Sequence, residues 1–120
     1  DKEKDILGKF SSSLFTLNTF YLANKTIVGR KQDKECEKFL LNYWILVVEN
    51  MRQWQELLHK EITKVDLREN FIATQSIVIQ ALGRVGNYFY CNEIEPDDYL
   101  THLNEINWSR NSKQWYLRAI

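Results

Sequence analysis

The chain has 120 residues, with 16 basic and 16 acidic side chains and so no formal net charge. That length accommodates one domain, and 44% hydrophobic with 27% charged residues excludes a disordered chain. Neutrality argues against a partner held by charge over the whole surface and leaves room for a local basic patch.

Four glycines and one proline are too few for the turns of a many-stranded β-protein. The expectation is an all-α fold, a single-domain bundle of four main helices plus a short C-terminal helix over residues 1–120. The chain opens at Asp1 in the charged stretch Asp1-Lys2-Glu3-Lys4-Asp5, which reads as the edge of a piece cut from a longer polypeptide. The first helix is predicted from about Ser11 to Val28, with Leu14, Leu17, Tyr21, Ala23 or Asn24, and Val28 recurring every three or four residues as its apolar seam and Gly29 as a left-handed stop. The second runs from about Asp33 to Ile62. Its apolar positions Cys36, Leu40, Tyr43, Val47, Met51, Trp54 and Leu58 recur every three or four residues, with Asp33 as cap. Its aromatics, Trp44 among them, cover more than one face, as expected of the central helix.

Asp66-Leu67-Arg68-Glu69 has capping-box spacing and predicts a third helix continuing to about Tyr90. Phe71, Thr74, Val78, Ala81, Val85 and Phe89 share one face of it. Gly83 and Gly86 lie on the adjoining face, each costing about 1 kcal/mol in a helix, which predicts close approach of a neighbouring helix over them. Glu95-Pro96-Asp97-Asp98 starts a fourth helix, with Pro96 at its first position, and Asn107-Trp108-Ser109-Arg110-Asn111 ends it. A last short helix runs to Ile120. The longest apolar run, Tyr43 to Val48, is too short to span a membrane, so no membrane partner is expected.

Chemistry-bearing residues are sparse. His59 and His102 lack a nucleophile or carboxylate at a motif spacing, and Gly83-Arg84-Val85-Gly86 lies mid-helix where it cannot cradle phosphate. Cys36 and Cys91 stand 55 positions apart without metal-ligand spacing and read as buried thiols of a reducing, cytoplasmic compartment. No catalytic residue, metal or cofactor is expected. Basic residues cluster twice. Lys25, Arg30, Lys31 and Lys34 surround the first interhelix loop with Asp33 opposing. Arg110, Lys113 and Arg118 interleave with Trp108, Trp115 and Tyr116, and no acid follows residue 106. Cations among aromatics can hold a phosphate backbone, here with Trp108 and Trp115 expected to pack inward beneath them, and they also occur where basic stems cover apolar surface.

Three stretches together are distinctive: Ser13-Leu14-Phe15-Thr16-Leu17; Leu67-Arg68-Glu69-Asn70-Phe71 leading into Val78-Ile79-Gln80-Ala81-Leu82-Gly83-Arg84-Val85-Gly86; and Ile106-Asn107-Trp108-Ser109-Arg110-Asn111 followed by Trp115 and Arg118-Ala119. Their order resembles the C-terminal part of the DndB family, bacterial proteins of DNA phosphorothioation (DNA sulfur modification) systems. The resemblance implies a DNA-binding transcriptional regulator of the modification gene cluster rather than a sulfur-transferring enzyme. The Asp-Gly-Gln-His-Arg signature of the family's N-terminal part is absent from these residues. The implied partners are double-stranded DNA, the remainder of the same chain and a second copy. Two other readings stay open: an interaction or structural module without DNA contact, and an accessory domain of a nucleic-acid enzyme whose active site lies elsewhere.

The periodic, capped segments predict folding without metal. Far-ultraviolet circular dichroism in excess chelator should give a helical spectrum and a cooperative melt; a strand or coil spectrum would contradict it.

Overall fold

The computed structural model describes residues 17–110 except position 74. Helix α1 is described over Leu17–Val28, and the predicted start near Ser11 and the last short helix lie outside the described residues. Ala23 and Ile27 form its buried face, while Tyr21, expected inside, is 60% exposed. The helix ends as predicted on Gly29 (φ 68°), whose N–H donates to the Lys25 carbonyl at 2.8 Å. Asp33 then caps α2, Lys34–Asn50, accepting from the Cys36 N–H at 2.8 Å.

The second predicted helix is two. Met51 takes extended angles (φ −103°, ψ 101°), ends α2 and caps α3, Arg52–Leu58. The Gln55 side-chain amide donates 2.9 Å to the Val48 carbonyl, satisfying a group that the break removes from the helical ladder. The apolar seam survives the break, since Met51 and Trp54 both stay buried. Lys60 (φ 60°) turns the chain out of α3, short of the expected Ile62.

The third predicted helix is also two. Its capping box lies three residues earlier than expected: Thr63 accepts from the Asp66 N–H at 3.1 Å and Asp66 accepts from the Thr63 N–H at 3.5 Å, starting α4, Lys64–Asn70. Phe71 is extended and forms an antiparallel bridge with Ser109. The Ile72 N–H donates to the Trp108 carbonyl at 2.8 Å, and the Arg110 N–H to the Asn70 carbonyl at 2.9 Å. This pairing competes with helix and interrupts it. Helix α5, Ser76–Cys91, follows, and it buries Val78, Ile79, Leu82, Gly83, Gly86 and Phe89. Ala81 and Val85, which the periodicity places on one face with Val78 and Phe89, are exposed. A one-turn α6, Asp97–Leu100, starts one residue after Pro96 and passes into a 3-10 turn, Thr101–Glu105.

The predicted close approach over the glycines is observed. A Cβ on Gly83 would lie 3.1 Å from the Ala23 carbonyl oxygen, and one on Gly86 would lie 2.9 Å from the Tyr43 ring and 3.0 Å from Ile27. Position 23 faces 83 and position 27 faces 86, so α1 and α5 run parallel. The Asn87 amide continues the register, donating to the Ile27 carbonyl at 2.9 Å. Helix α2 lays its aromatics across this pair. Tyr43 is fully buried and donates its hydroxyl to the Leu82 carbonyl, and Trp44 donates to Asn24 Oδ1 at 2.6 Å. Phe20, Phe39 and Phe89 surround these two rings, with centroids 5.1–6.4 Å from one or the other.

Gly86→Ala adds helix propensity but sets a methyl against a buried ring that has its own hydrogen bond. Overpacking should outweigh the propensity gain and destabilise the fold by about 1–3 kcal/mol. A urea titration at unchanged m-value checks this, and a raised midpoint would show that the packing there is slack.

Candidate nucleic-acid interface

The first basic cluster is built by the α1–α2 turn. Lys25 occupies the last turn of α1, where a cation is favoured by the helix dipole. Gly29 reverses the chain, Arg30 and Lys31 occupy the turn, and Lys34 opens α2. All four cations are exposed, and none forms an ion pair among the described residues. The opposing carboxylate, Asp33, is engaged in capping, and the Cys36 N–H holds it below the usual carboxylate range.

The turn is pinned from beneath. The Lys31 ammonium stands 5.9 Å from the Tyr90 ring centroid. The Tyr90 hydroxyl lies 3.0 Å from Cys36 Sγ, and its ring packs 5.1 Å from Phe39. The hydrogen bond with Cys36, with burial adding to it, pushes the Tyr90 phenol up to about 12. On one side of Lys31 a shallow cleft of about 530 Å³ is lined by Tyr21, Asn24, Lys25 and Arg30. On its other side a groove of about 850 Å³ carries the carboxylates of Glu35, Glu93 and Glu95. The positive surface is therefore one-sided. It faces the cleft with Tyr21, an aromatic that the sequence pattern had assigned to the core. Its spacing of four residues from Lys25 was the available signal, since i and i+4 share a helix face.

The second cluster is different. Lys113 and Arg118 lie outside the described residues. Trp108 is buried, as expected. Arg110 donates from Nε (3.1 Å) and Nη2 (2.6 Å) to the Arg68 carbonyl. With the Gln75 amide turned so that its oxygen faces the guanidinium, that oxygen accepts from Nη1 at 2.5 Å and Nη2 at 3.1 Å. Arg110 thus staples the segment after the 3-10 turn to the end of α4 and to Gln75 ahead of α5, and a phosphate would have to compete with these acceptors. Gln75 and Tyr90 stand at opposite ends of α5, about 22 Å apart along its axis. Arg110 therefore stands apart from the α1–α2 cations.

Of the remaining candidates, His59 and His102 are exposed, and His102 Nδ1 contacts Glu105 at 3.1 Å. Cys36 is a buried free thiol, whereas Cys91, expected buried, is an exposed one. Cys91 closes α5 on the solvent side of Asn87, whose amide donates to its sulfur at 3.3 Å. Among the described residues no group of three or more His, Cys, Asp or Glu could hold a metal, and no helix is long and apolar enough to cross a membrane.

Arg110→Ala should lower stability by about 1 kcal/mol through removal of its hydrogen bonds to the Arg68 carbonyl. Arg110→Lys should not restore it, because an ammonium cannot reproduce the two-pronged donor. Urea midpoints for the two variants check this; a wild-type midpoint for Arg110→Ala would release that side chain for another role.

No curated protein and no solved structure matches the chain. The family model described as DndB, DNA-sulfur modification-associated, matches residues 1–120. The match covers the whole length, including the Gly83–Gly86 stretch that seats α1 and the Trp108–Arg110 staple, and the chain therefore belongs to the DndB family.

Proposed function

We propose that this chain is a non-enzymatic helical domain of a cytoplasmic, DNA-binding transcriptional regulator of a DNA sulfur-modification gene cluster. In this reading it holds duplex DNA through phosphate contacts from the α1–α2 turn. Membership of the family supports the link to DNA sulfur modification. The observation that carries the DNA contact is the group Lys25, Arg30, Lys31 and Lys34, exposed and without ion pairs among the described residues, on a turn stiffened at Gly29, Asp33 and Tyr90. A pre-ordered turn gives up little freedom when its cations meet phosphates, and the release of counterions from DNA supplies the affinity. Such contacts set position on the duplex without reading bases. Lys113 and Arg118 remain candidates for the same role, and Arg110 contributes to it indirectly by fixing the backbone from which they follow.

Lys25→Gln with Arg30→Gln should weaken binding to unrelated duplexes about equally. It should also flatten log affinity against log salt by about 0.9 for each phosphate that the turn no longer neutralises. The melting temperature should hold, because both side chains are exposed. Unchanged affinity and slope would remove the turn from any DNA interface.

A further inference from the structure

Helix α1 turns Tyr21 and Lys25 to solvent one helical turn apart, and with Asn24 and Arg30 they line the shallow cleft of about 530 Å³. Its size falls within the range of about 300–1,000 Å³ usual for small-molecule sites. The cations at the cleft are Lys25, Arg30 and Lys31, and no carboxylate lines it among the described residues, whereas the groove across Lys31 carries three. The Tyr21 ring is 60% exposed. Asn24 Oδ1 accepts from the Trp44 indole N–H at 2.6 Å. That bond fixes the amide and occupies its acceptor, so the NH2 group, a donor, is what this side chain offers a ligand. Val28 and Leu40, both half-buried, add apolar lining.

Phosphate by itself needs only the cations. An aromatic face, a fixed amide donor and apolar lining beside those cations suit a nucleotide whose base has left its stack. Bases are held on single strands by stacking on aromatic rings, while cations track the backbone. We infer that the cleft takes one unstacked nucleotide of a single strand, its base on the Tyr21 ring and its phosphate between Lys25 and Arg30. The Asn24 NH2 group donates to a carbonyl or ring nitrogen of that base. The site rests on the DNA reading above and deepens it. A duplex keeps its bases stacked and offers the turn only phosphates, whereas an unpaired stretch offers phosphates and a base together. A strand fits better than a free nucleotide because Lys31 and Lys34 carry the positive turn beyond what one phosphate engages.

Fluorescence anisotropy tests this with a labelled oligothymidine and a labelled blunt duplex of the same length, each over a series of salt concentrations. Thymidine 5′-monophosphate serves as competitor. The single strand should bind more tightly than the duplex. Tyr21→Ala should weaken the single strand about fivefold or more, the effect of losing one stacked base, and leave the duplex unchanged. The slope of log affinity against log salt should stay the same in this variant, because stacking releases no counterions. Tyr21→Phe should bind like the wild type. Tyr21→Leu keeps apolar bulk without a π-face and should fail as alanine does, which keeps the test decisive if the alanine variant does not fold. Single-strand affinity that survives both Tyr21→Ala and Tyr21→Leu overturns the inference, as does an equal loss on the duplex. A monophosphate that competes as tightly as the oligonucleotide overturns the strand in favour of a free nucleotide. The DNA reading is judged separately by the Lys25 and Arg30 variant on duplex. Duplex affinity that depends on those cations, beside single-strand affinity indifferent to Tyr21, removes only the unstacked nucleotide. Tyr21-dependent single-strand binding without duplex affinity upholds the cleft and removes only the duplex contact.

Discussion

The structure depends on the absence of side chains at Gly83 and Gly86. Position 83 lets the α1 backbone at Ala23 approach α5, and position 86 receives the Tyr43 ring together with Ile27. Tyr43 is the joint of three helices: it projects from α2, packs beside α1, and donates its hydroxyl to the Leu82 carbonyl of α5. Burial pushes its phenol well above the usual range, which keeps it a neutral donor. The penalty of about 1 kcal/mol for each helical glycine is offset by packing that a methyl group would block. Trp44, Phe39 and Phe89 complete the aromatic layer around this joint.

Because α1 and α5 are locked in parallel, the two ends of the pair are chemically distinct. At the C-terminal end the chain leaves α1 through Gly29, and Lys31 comes to rest over Tyr90, itself held by Cys36 and Phe39. At the N-terminal end Arg110 and the Phe71–Ser109 bridge tie the α4–α5 connection to the segment after the 3-10 turn. One end displays cations, and the other uses a cation to hold backbone. The same residue type serves different purposes because a backbone carbonyl and a side-chain amide lie within reach of Arg110, while Lys25, Arg30 and Lys34 face solvent.

Neutrality of the whole chain conceals this distribution. Carboxylates gather in the groove on one side of Lys31 and basic groups around the cleft on the other. Charge nearly vanishes from α5. Electrostatic complementarity acts over about 10 Å at ordinary ionic strength, so local segregation matters more to a partner than the total.

The sequence by itself determined the all-α class, the stop at Gly29, the Asp33 cap, the seam through Tyr43, Met51 and Trp54, the close approach at Gly83 and Gly86, and the inward Trp108. Each follows from a signal within one turn of helix or one periodic stripe. Membership of the DndB family was legible in the same stretches. Tertiary structure decided the rest. Nothing local marks Met51 as a break, which is stabilised by the Gln55 amide reaching Val48. Residues 71–73 leave the helix because Ile72 finds a backbone partner in Trp108, 36 positions away. Periodicity put Tyr21 in the apolar seam of the first helix and Val85 on one face with Val78, yet a helix between neighbours buries the face those neighbours choose. Of the candidate site, the α1–α2 cations were readable from clustering alone. The diversion of Arg110 to the Arg68 carbonyl was not, since a guanidinium takes whichever acceptors folding brings to it, and those come from distant residues.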